Sequence, residues 1–352
     1  MQRKTIISEG YAQYGYGSII DNYMKQNFAK DYNFVHICID RGLPKIESPQ
    51  NVKVIYIASH NRLVRKYELI STIYREAKKN KNAVLWLAYF KLFFIVRLLL
   101  PFHRCIADYS TGCVNPSRIN RFFKNLLMTF EALFFRHKVA LSIDLKKHLH
   151  LSKNTKILPL GANILSNTNK QFNKMRLLYV GTLASQRDVY KTIEGVVKFR
   201  EKRPNAELRY DIIGKGNGMN HIKAEIQRFS ASDYIKVHGY VPDEEITPFY
   251  DNCNVGVCFA RMEDYYLVQP FTKLYEYGLS GMALISVKVK DSVRRIDEKL
   301  GVLCDDNADS FADALVQLYD NRMNYDSKYI RDCLRPYTWQ SLSVKFKDII
   351  ES

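Results

Sequence analysis

The sequence lacks the cysteine patterns of a zinc site or a disulfide scaffold. None of its seven cysteines stands in a Cys-x-x-Cys pair, and seven is an odd number. No charged-then-apolar leader follows Met1. We therefore expect a reduced, cytoplasmic protein that holds no metal.

Internal repeats, low-complexity tracts and nucleic-acid-binding motifs are also missing. No helix-turn-helix, zinc finger or aromatic-basic single-strand pattern occurs, so nucleic acid is not an expected partner. The longest apolar stretch, residues 83–102, is interrupted by Lys91 and Arg97, and a charge at mid-bilayer is costly. We expect a buried strand around Trp86 followed by a helix over residues 88–99. A spanning helix and a helix lying in the membrane interface are the alternatives.

Length and charge indicate two different halves. A chain of 352 residues with 47% apolar content exceeds what one core usually supports, so we expect two domains. The net charge is +17; residues 1–170 hold 27 Lys and Arg against 10 Asp and Glu, whereas residues 171–352 hold 26 of each. A basic half indicates an anionic partner, namely a membrane surface, a lipid-linked phosphate or nucleic acid. A solvated basic surface is the alternative.

Apolar strands alternate with helical spacing along the chain, which predicts βαβ units and parallel sheets. The first strand runs into a Gly-rich loop with Gly15 and Gly17, and a helix is predicted over residues 18–29. Glycine lets the backbone approach a ligand closely. Asp108 ends a later strand, where open α/β sheets hold ligand contacts. Asp108 is either such a contact or part of a turn that caps the next helix.

A helix predicted over residues 117–138 has an apolar side with basic flanks. Such a stripe usually faces a core, but its flanks also suit contact with anionic lipid, together with the preceding helix. The apolar residues are Phe122, Phe123, Leu126, Leu127, Phe130, Leu133 and Phe134. The basic residues are Arg118, Arg121, Lys124, Arg136 and Lys138.

Residues 269–281 are the most informative stretch. Pro270 suits the first turn of a helix and Gly281 its end, so Lys273 and Glu276 lie on one helical face. At a helix N-terminus the ammonium can hold a phosphate, while the carboxylate accepts hydrogen bonds from a vicinal diol. This combination fits a nucleoside diphosphate. The alternative is a solvated ion pair worth about 0.2–0.5 kcal/mol.

A second phosphate-binding pattern follows another predicted strand. Gly181 and Thr182 form a turn, and Arg187 stands before the next helix. Backbone N–H groups and one cation can together cradle a phosphate, although a surface arginine is the alternative. The Gly-rich run that begins at Gly214 lacks the last glycine of a dinucleotide motif, because Met219 stands there. We interpret it as a βα turn that lines the ligand site.

Residues 269–281 resemble the donor-binding motif of glycosyltransferase family 4, whose retaining members read roughly Pro-x-x-Lys-x-x-Glu-Tyr at this point. The resemblance implies a GT-B fold, with two Rossmann-like parallel-sheet domains facing across a cleft. It assigns the donor's ribose to Glu276 and its diphosphate to Lys273. In this family a basic residue six positions after the first glycine of the second domain also binds the diphosphate. Arg187 occupies that position.

One position departs from the family. Many members carry another glutamate eight residues before the ribose-binding one, and this chain has Val268 there. The contact to the donor sugar must then come from elsewhere, and Gln269, Tyr265 and Tyr266 are the candidates.

The resemblance leads to a full set of predicted site residues. Catalytic roles are predicted for Arg187, Lys273 and Asp108. Contacts with the nucleotide sugar are predicted for Glu276, Gly181, Thr182, Gly214, Tyr240, Val241, Gln269, Pro270, Thr272, Gly15 and Gly17, with the backbone of Tyr240 and Val241 framing the base.

We predict an acceptor-binding domain over residues 1–165 and a nucleotide-sugar-binding domain over residues 175–337. The polar run 166–174 is the predicted linker, and a helix at about residues 338–352 is predicted to pack back on the first domain. The predicted enzyme is a retaining, metal-independent glycosyltransferase without a cofactor. It would move a sugar from a UDP or GDP donor to a lipid-linked glycan acceptor in surface polysaccharide biosynthesis, at the inner face of the plasma membrane.

Two alternatives belong to other classes. A nucleotide-sugar 2-epimerase of GT-B fold could use the same donor site, although Val268 and the basic first half argue against it. The other alternative is a non-catalytic basic protein that binds membrane or nucleic acid, which would account for the positive charge but not for the donor-binding motif.

Overall fold

The computed structural model describes residues 3–17, 19–25, 31–115 and 117–352. The chain divides into two compact units, the first comprising residues up to 160 together with 339–352 and the second comprising residues 161–338. The first unit contains 28 Lys and Arg against 12 Asp and Glu, and the second contains 25 against 24. The excess positive charge therefore belongs to the first unit.

Seven strands of the first unit pair in parallel and form one sheet. They are β1 (Lys4–Gly10), β2 (Tyr32–Ile39), β3 (Val52–Ile57), β4 (Val84–Ala88), β5 (Arg104–Tyr109), β6 (His137–Ala140) and β7 (Lys156–Ile157). The sheet order is β3-β2-β1-β4-β5-β6-β7. The last five residues of β1 are all buried, as expected for a strand covered on both faces.

Within the described residues, five helices connect these strands. They are α1 (Ile19–Met24), α2 (Arg62–Lys79), α3 (Phe94–Leu99), α4 (Arg118–Ala132) and α5 (Ile143–His148). Asn61 and Ser117 cap α2 and α4 by accepting backbone N–H groups. Of the helix predicted over residues 18–29, positions 18 and 26–29 lie outside the described residues.

Two predicted helices of the first unit are shorter than expected. The helix predicted over residues 88–99 begins only at Phe94, because the chain turns at Leu92 with φ 75° and its N–H binds the buried Glu131 carboxylate at 2.8 Å. The helix predicted over residues 117–138 ends at Ala132, where the chain turns to bury Phe135 before β6. The first turn is fixed by the buried Glu131 carboxylate and the second by the buried Phe135 ring, and hydrophobic periodicity predicts neither contact.

The second unit is built on six parallel strands in the order β10-β9-β8-β11-β12-β13. They are β8 (Met175–Val180), β9 (Leu208–Ile213), β10 (Ile235–Gly239), β11 (Val255–Cys258), β12 (Ala283–Val287) and β13 (Gly301–Cys304). The helices are α6 (Lys191–Lys202), α7 (Met219–Arg228), α8 (Thr247–Asn252), α9 (Asp264–Leu267), α10 (Thr272–Leu279), α11 (Lys290–Arg295), α12 (Ala308–Asp320) and α13 (Ser327–Leu334).

The segment predicted as the linker, residues 166–174, belongs to the second unit. Lys170 is buried, and its ammonium donates to the Ser166 hydroxyl at 3.0 Å and to the carbonyl oxygens of Tyr250 and Asp251. A polar run is therefore ordered here by one buried lysine.

The last helix, α14 (Trp339–Glu351), belongs to the first unit. Phe346 stacks on Tyr23 with ring centroids 4.4 Å apart and lies 4.5 Å from Trp86. Both tryptophans of the chain, Trp86 and Trp339, are thus buried in the first unit. Across the described ranges, no helix is both long and apolar enough to cross a membrane.

Candidate functional site

Lys273 and Glu276 lie on α10 and form a close ion pair. The Lys273 ammonium is 2.5 Å from Glu276 Oε2, and the two side chains are 32% and 13% exposed. The buried Tyr250 donates its hydroxyl proton to the same carboxylate oxygen at 3.1 Å. Burial and the Glu276 charge raise the Tyr250 pKa well above its usual value, so this hydroxyl remains a donor. The pair is held by a buried partner and differs from the solvated pair considered above.

The position of α10 depends on close packing against the sheet. The backbone N–H of Val180 donates to the Tyr277 hydroxyl at 2.7 Å. A Cβ on Gly256 would lie 2.3 Å from Tyr277 Cγ, so only glycine fits at this point of β11. Gly281 ends the helix in the left-handed conformation, with φ 73°, as predicted. Pro270 lies outside the helix, which begins at Thr272 after the cap residue Phe271, so the prediction that Pro270 starts it is wrong.

Arg187 ends a short 3-10 helix that follows β8. Its guanidinium lies 5.9 Å from the centre of the Tyr266 ring. Burial raises the pKa of the Tyr179 hydroxyl, and the positive charge of Arg187 partly offsets that rise. The strand β8 lies next to β11 in the sheet, and the N–H of Arg261, just after β11, donates to the Arg187 carbonyl at 3.1 Å. Arg187 and the ion pair on α10 therefore lie at the same carboxyl edge of the second sheet.

The glycine loops at this edge are in backbone contact. A Cβ on Gly214 would lie 1.8 Å from the carbonyl oxygen of Gly181. The N–H of Gly181 donates to Ile213, and that of Leu183 donates to Lys215, both at 3.0 Å. Thr182 lies in the same turn and is exposed. The structure thus brings Gly181, Thr182 and Gly214 side by side.

Tyr240 follows β10 at the same edge. Its ring is 63% exposed, and the Lys215 ammonium lies 4.6 Å from the ring centre. The carbonyl of Gly239 accepts the Gly214 N–H at 2.7 Å, which ties this loop to the glycine turns. Val241 is half-buried and packs on the core of the second unit.

The segment before α10 contains Val268 and the three residues named as candidates for the missing sugar contact. The valine is buried, with 6% exposure, at the end of α9. Of the three residues named as substitutes for the missing glutamate, Tyr266 contacts a predicted site residue, Arg187. Tyr265 is buried against Tyr266, and the backbone N–H of Gln269 donates to the Tyr266 carbonyl at 3.1 Å.

Asp108 lies in the first unit at the carboxyl end of β5. It accepts the Trp86 indole N–H at 2.9 Å and the Ser110 hydroxyl at 3.0 Å. Burial raises the pKa of Asp108 to about 6. Since Ser117 caps the next helix, α4, the capping role considered for Asp108 is wrong.

Sequence reasoning missed Glu9, which lies near Asp108. Burial and the Asp108 charge raise the pKa of Glu9 to about 8, against a hydrogen bond with the Ala88 backbone. Both carboxyls line a cavity of about 580 Å³ together with Gly17, Arg41 and Trp86. Glu9 stands at the end of the first predicted strand, directly before the Gly-rich loop. Asp108 was selected because it ends a strand of a parallel sheet, and Glu9 could have been selected for the same reason.

The Gly-rich loop is held by buried polar groups. Gly15 and Gly17 both have positive φ, and the Gly15 N–H donates to Asp21 at 2.8 Å. Asp21 also lies 3.5 Å from the ring of the buried His36. Burial lowers the His36 pKa to about 3, so this ring is neutral. Gly17 lines the cavity described above, and Gly15 shapes the loop beside it.

A second cavity of the first unit, of about 290 Å³, adjoins the first. Both are lined by Ala88, Asp108, Ser110 and Thr111. The walls particular to the second cavity are Tyr89, Lys91, Gly112, Cys113, Lys124, Leu127 and Met128.

Helix α4 turns its apolar side outward. It buries Arg121 and Glu131, whereas six apolar residues are 51–77% exposed. These residues, the α4 apolar face, are Ile119, Phe122, Phe123, Leu126, Phe130 and Leu133. Phe134, which follows α4, packs on Phe94 of α3 with ring centroids 4.8 Å apart. Leu98, Leu99 and Phe102, at and after the end of α3, are exposed as well.

Comparisons with known proteins agree with this architecture. Residues 174–321 match the family model "Glycosyl transferases group 1". A search of curated proteins found no match. Sucrose-phosphate synthase from Thermosynechococcus elongatus superposes with a TM-score of 0.76 at 15% identity, over 99% of this chain and 98% of that one. HepE of Anabaena in complex with UDP has a TM-score of 0.75 at 9% identity, over 99% of each chain.

A third structure, the lipopolysaccharide outer core galactosyltransferase WaaB, has a TM-score of 0.72 at 15% identity over 99% of each chain. The predicted fold class and the resemblance to glycosyltransferases are confirmed, while membership of family 4 stays a prediction. The chain has the GT-B fold, and its second unit matches the glycosyl transferases group 1 model, so the findings support a glycosyltransferase.

Proposed function

We propose that this enzyme transfers a sugar from a nucleotide-sugar donor to a lipid-linked glycan, with retention of anomeric configuration and without a metal. The observation that carries the donor assignment is the half-buried Lys273–Glu276 pair, held by Tyr250 at the sheet edge that also bears Arg187. A carboxylate beside two cations fits a ribose diol joined to a diphosphate.

The chemistry assigned to this edge is stabilisation of the leaving group. As the bond from the sugar to the β-phosphate breaks, negative charge develops on the phosphate oxygens, and Arg187 and Lys273 would neutralise it. One preorganised contact of this kind contributes about 3 kcal/mol to transition-state stability. The acceptor hydroxyl forms the new bond to the same sugar carbon, and its proton passes to the departing phosphate. Glu276 would orient the donor through its ribose.

The base of the donor nucleotide is proposed to be uracil. Among proteins of similar fold, HepE has been crystallised with UDP and WaaB is named as a galactosyltransferase. Tyr240 offers an exposed ring beside Gly214 for contact with the base, and the backbone of Val241 follows it. A GDP sugar is the competing donor, and the hydrolysis experiment described below distinguishes it from a UDP sugar.

The lipid-linked acceptor is supported by the first unit. Its excess positive charge and the α4 apolar face combine the two features that bind proteins to anionic membranes. Lys91 and Lys124 line the smaller cavity beside Asp108, where they would attract an anionic phosphate linker. We therefore place the enzyme at the inner face of the plasma membrane, acting in surface polysaccharide biosynthesis.

The proposal is tested by incubating the protein with UDP and GDP sugars in the presence of EDTA. Slow hydrolysis of one donor, with the sugar first released in the donor's anomeric configuration, is the expected result. Hydrolysis only after metal addition, or release in the opposite configuration, would contradict the proposed mechanism. Release of a 2-epimerised sugar would identify the epimerase instead.

A further inference from the structure

We propose that Glu9 and Asp108 together bind a hydroxyl group of the acceptor sugar in the larger cavity of the first unit. This inference rests on the proposed glycosyltransferase function and specifies the chemistry of its acceptor site. It assigns to Glu9 a role that the motif comparison leaves open.

The topology places the two carboxyls on either side of one strand. In the sheet order, β4 lies between β1, which carries Glu9, and β5, which carries Asp108. Trp86, on β4, pairs with Ser8 of β1 and donates its indole N–H to Asp108. Glu9, Trp86 and Asp108 all line the cavity of about 580 Å³.

Glu9 carries an independent sign of ligand binding. Its side chain is only 4% exposed, and its Oε1 atom has no hydrogen-bond partner in the described part of the chain. A buried polar atom without a partner costs about 1–3 kcal/mol, so its retention at a cavity wall calls for a compensating contact. A ligand hydroxyl supplies that contact.

The two carboxyls differ in protonation, which suits a hydroxyl group. At neutral pH Asp108 is mainly ionised and Glu9 holds its proton, since their pKa values are raised to about 6 and about 8. Asp108 already accepts bonds from Trp86 and Ser110, but a carboxylate offers about four acceptor positions. A sugar hydroxyl can therefore donate to Asp108 and accept from Glu9 at the same time.

Aromatic and cationic groups also line the cavity and contribute to its electrostatic potential. Other titratable or charged groups around the pair are Tyr11, Tyr16 and Arg41, which line the cavity, and Tyr23, whose pKa is raised by burial and by the Asp108 charge. Arg41 donates to the Tyr11 carbonyl at 3.0 Å and lies over the Tyr11 ring. Glu9 and Asp108 therefore remain the two carboxyls through which this cavity can bind a hydroxyl.

The probes for a test are n-octyl glycosides of several sugars, used below their micelle concentrations. An octyl oligoethylene-glycol ether serves as the matched probe without a sugar. Binding is followed by the NMR signal of the Trp86 indole N–H, which donates to Asp108 at the cavity wall and is assigned with Trp339→Phe. We expect at least one glycoside to shift this signal, while the ether does not.

Asp108→Asn keeps the shape of the side chain and is expected to weaken binding about tenfold, the effect of losing one charge-assisted contact. Glu9→Ala removes the neutral donor and should weaken binding several-fold, whereas Glu9→Gln keeps an N–H donor and should bind like the wild type at neutral pH. Asp40→Asn, a carboxyl just after β2 that does not line the cavity, should bind as the wild type. Wild-type affinity should also fall above about pH 8, where Glu9 loses its proton, whereas the affinity of Glu9→Gln should not.

A retained Trp86 signal shows that each variant is folded. Equal affinity in all variants, or no glycoside binding to the wild type, would overturn the acceptor site. The titration needs no donor, so it is decided independently of donor hydrolysis. If hydrolysis fails while glycosides bind, the donor proposal falls and the hydroxyl site stands.

Discussion

Individual buried side chains of the first unit carry unusual protonation states. Glu9 and His36 lie on neighbouring strands and are both nearly inaccessible to water. Burial favours the neutral form of each, so the Glu9 pKa rises while the His36 pKa falls. Such groups bind protons differently in the folded and unfolded chain, and stability then depends on pH.

Glu9 should make the first unit less stable as pH rises from about 4.5 to about 8. In this window the folded state keeps the Glu9 proton and the unfolded state has lost it, so raising the pH favours unfolding. The contribution is about 1.4 kcal/mol for each pH unit of the window. Urea unfolding followed by tryptophan fluorescence reports this unit alone, because it contains both tryptophans.

In Glu9→Gln this loss of stability between pH 5 and pH 8 should shrink by several kcal/mol, on the same scale of about 1.4 kcal/mol per pH unit. Asp40→Asn provides the comparison with a carboxyl outside the cavity. An unchanged pH dependence in Glu9→Gln would mean that Glu9 is ionised in the folded protein.

At the scale of elements, α10 is positioned by a single glycine on the strand beneath it. Gly256→Ala would place a methyl group 2.3 Å from Tyr277 Cγ, and relieving that overlap should cost about 1–3 kcal/mol. We expect faster hydrogen exchange in α10 and weaker nucleotide binding, because Lys273 and Glu276 move with the helix. Gly112→Ala is the control, since its new methyl group would meet Leu145 at an ordinary 3.5 Å. Unchanged exchange in Gly256→Ala would show that α10 does not depend on this contact.

Helix α4 gives a prediction about membrane binding. Phe122→Ser with Phe123→Ser should reduce co-sedimentation with phosphatidylglycerol-containing vesicles by more than tenfold, since burying each ring in lipid contributes about 1.5–3 kcal/mol. Val293→Ser with Met323→Ser, which removes comparably exposed apolar groups from the second unit, should bind like the wild type. Vesicles of phosphatidylcholine alone, or high salt, should bind less protein. Failure of the wild type to bind anionic vesicles at low salt would contradict the membrane assignment.

Local sequence patterns predicted most helices and strands, and they failed where contacts with residues distant in sequence determine the end or the orientation of an element. The alternation of strands with helices was predictable because apolar runs bounded by polar residues define the strands, as in β9 and β12. The end of α4 was misplaced because the turn after it depends on Phe135 packing against Phe93. The outward face of α4 could not be predicted either, since periodicity identifies an apolar stripe without saying what covers it.

The residues of the candidate site likewise fall into those that local sequence spacing predicts and those that only the tertiary structure brings together. Lys273 and Glu276 were predictable because three residues of helix fix their relation. Glu9 was missed because its proximity to Asp108 depends on the strand order β1-β4-β5, which sequence spacing does not give. Tyr250, which holds Glu276, likewise comes from another helix, α8.

For the whole molecule, charge and chemistry are partitioned between the two units. The first unit holds nearly all the excess positive charge, the α4 apolar face and the Glu9–Asp108 pair. The second unit is nearly neutral and carries the group 1 domain with Arg187, Lys273 and Glu276. This partition agrees with an enzyme that takes a soluble donor on one unit and a membrane-bound acceptor on the other.

The central claim is that the Lys273–Glu276 pair binds the nucleotide of the donor, and calorimetric titration with UDP and GDP tests it most directly. Lys273→Ala and Glu276→Gln should each weaken binding about tenfold or more, which corresponds to about 1.4 kcal/mol. Lys202→Ala breaks an equally short ion pair, with Asp313 at 2.5 Å, between α6 and α12 and should leave the affinity unchanged. Equal affinity in all four proteins, or no binding to the wild type, would contradict the account.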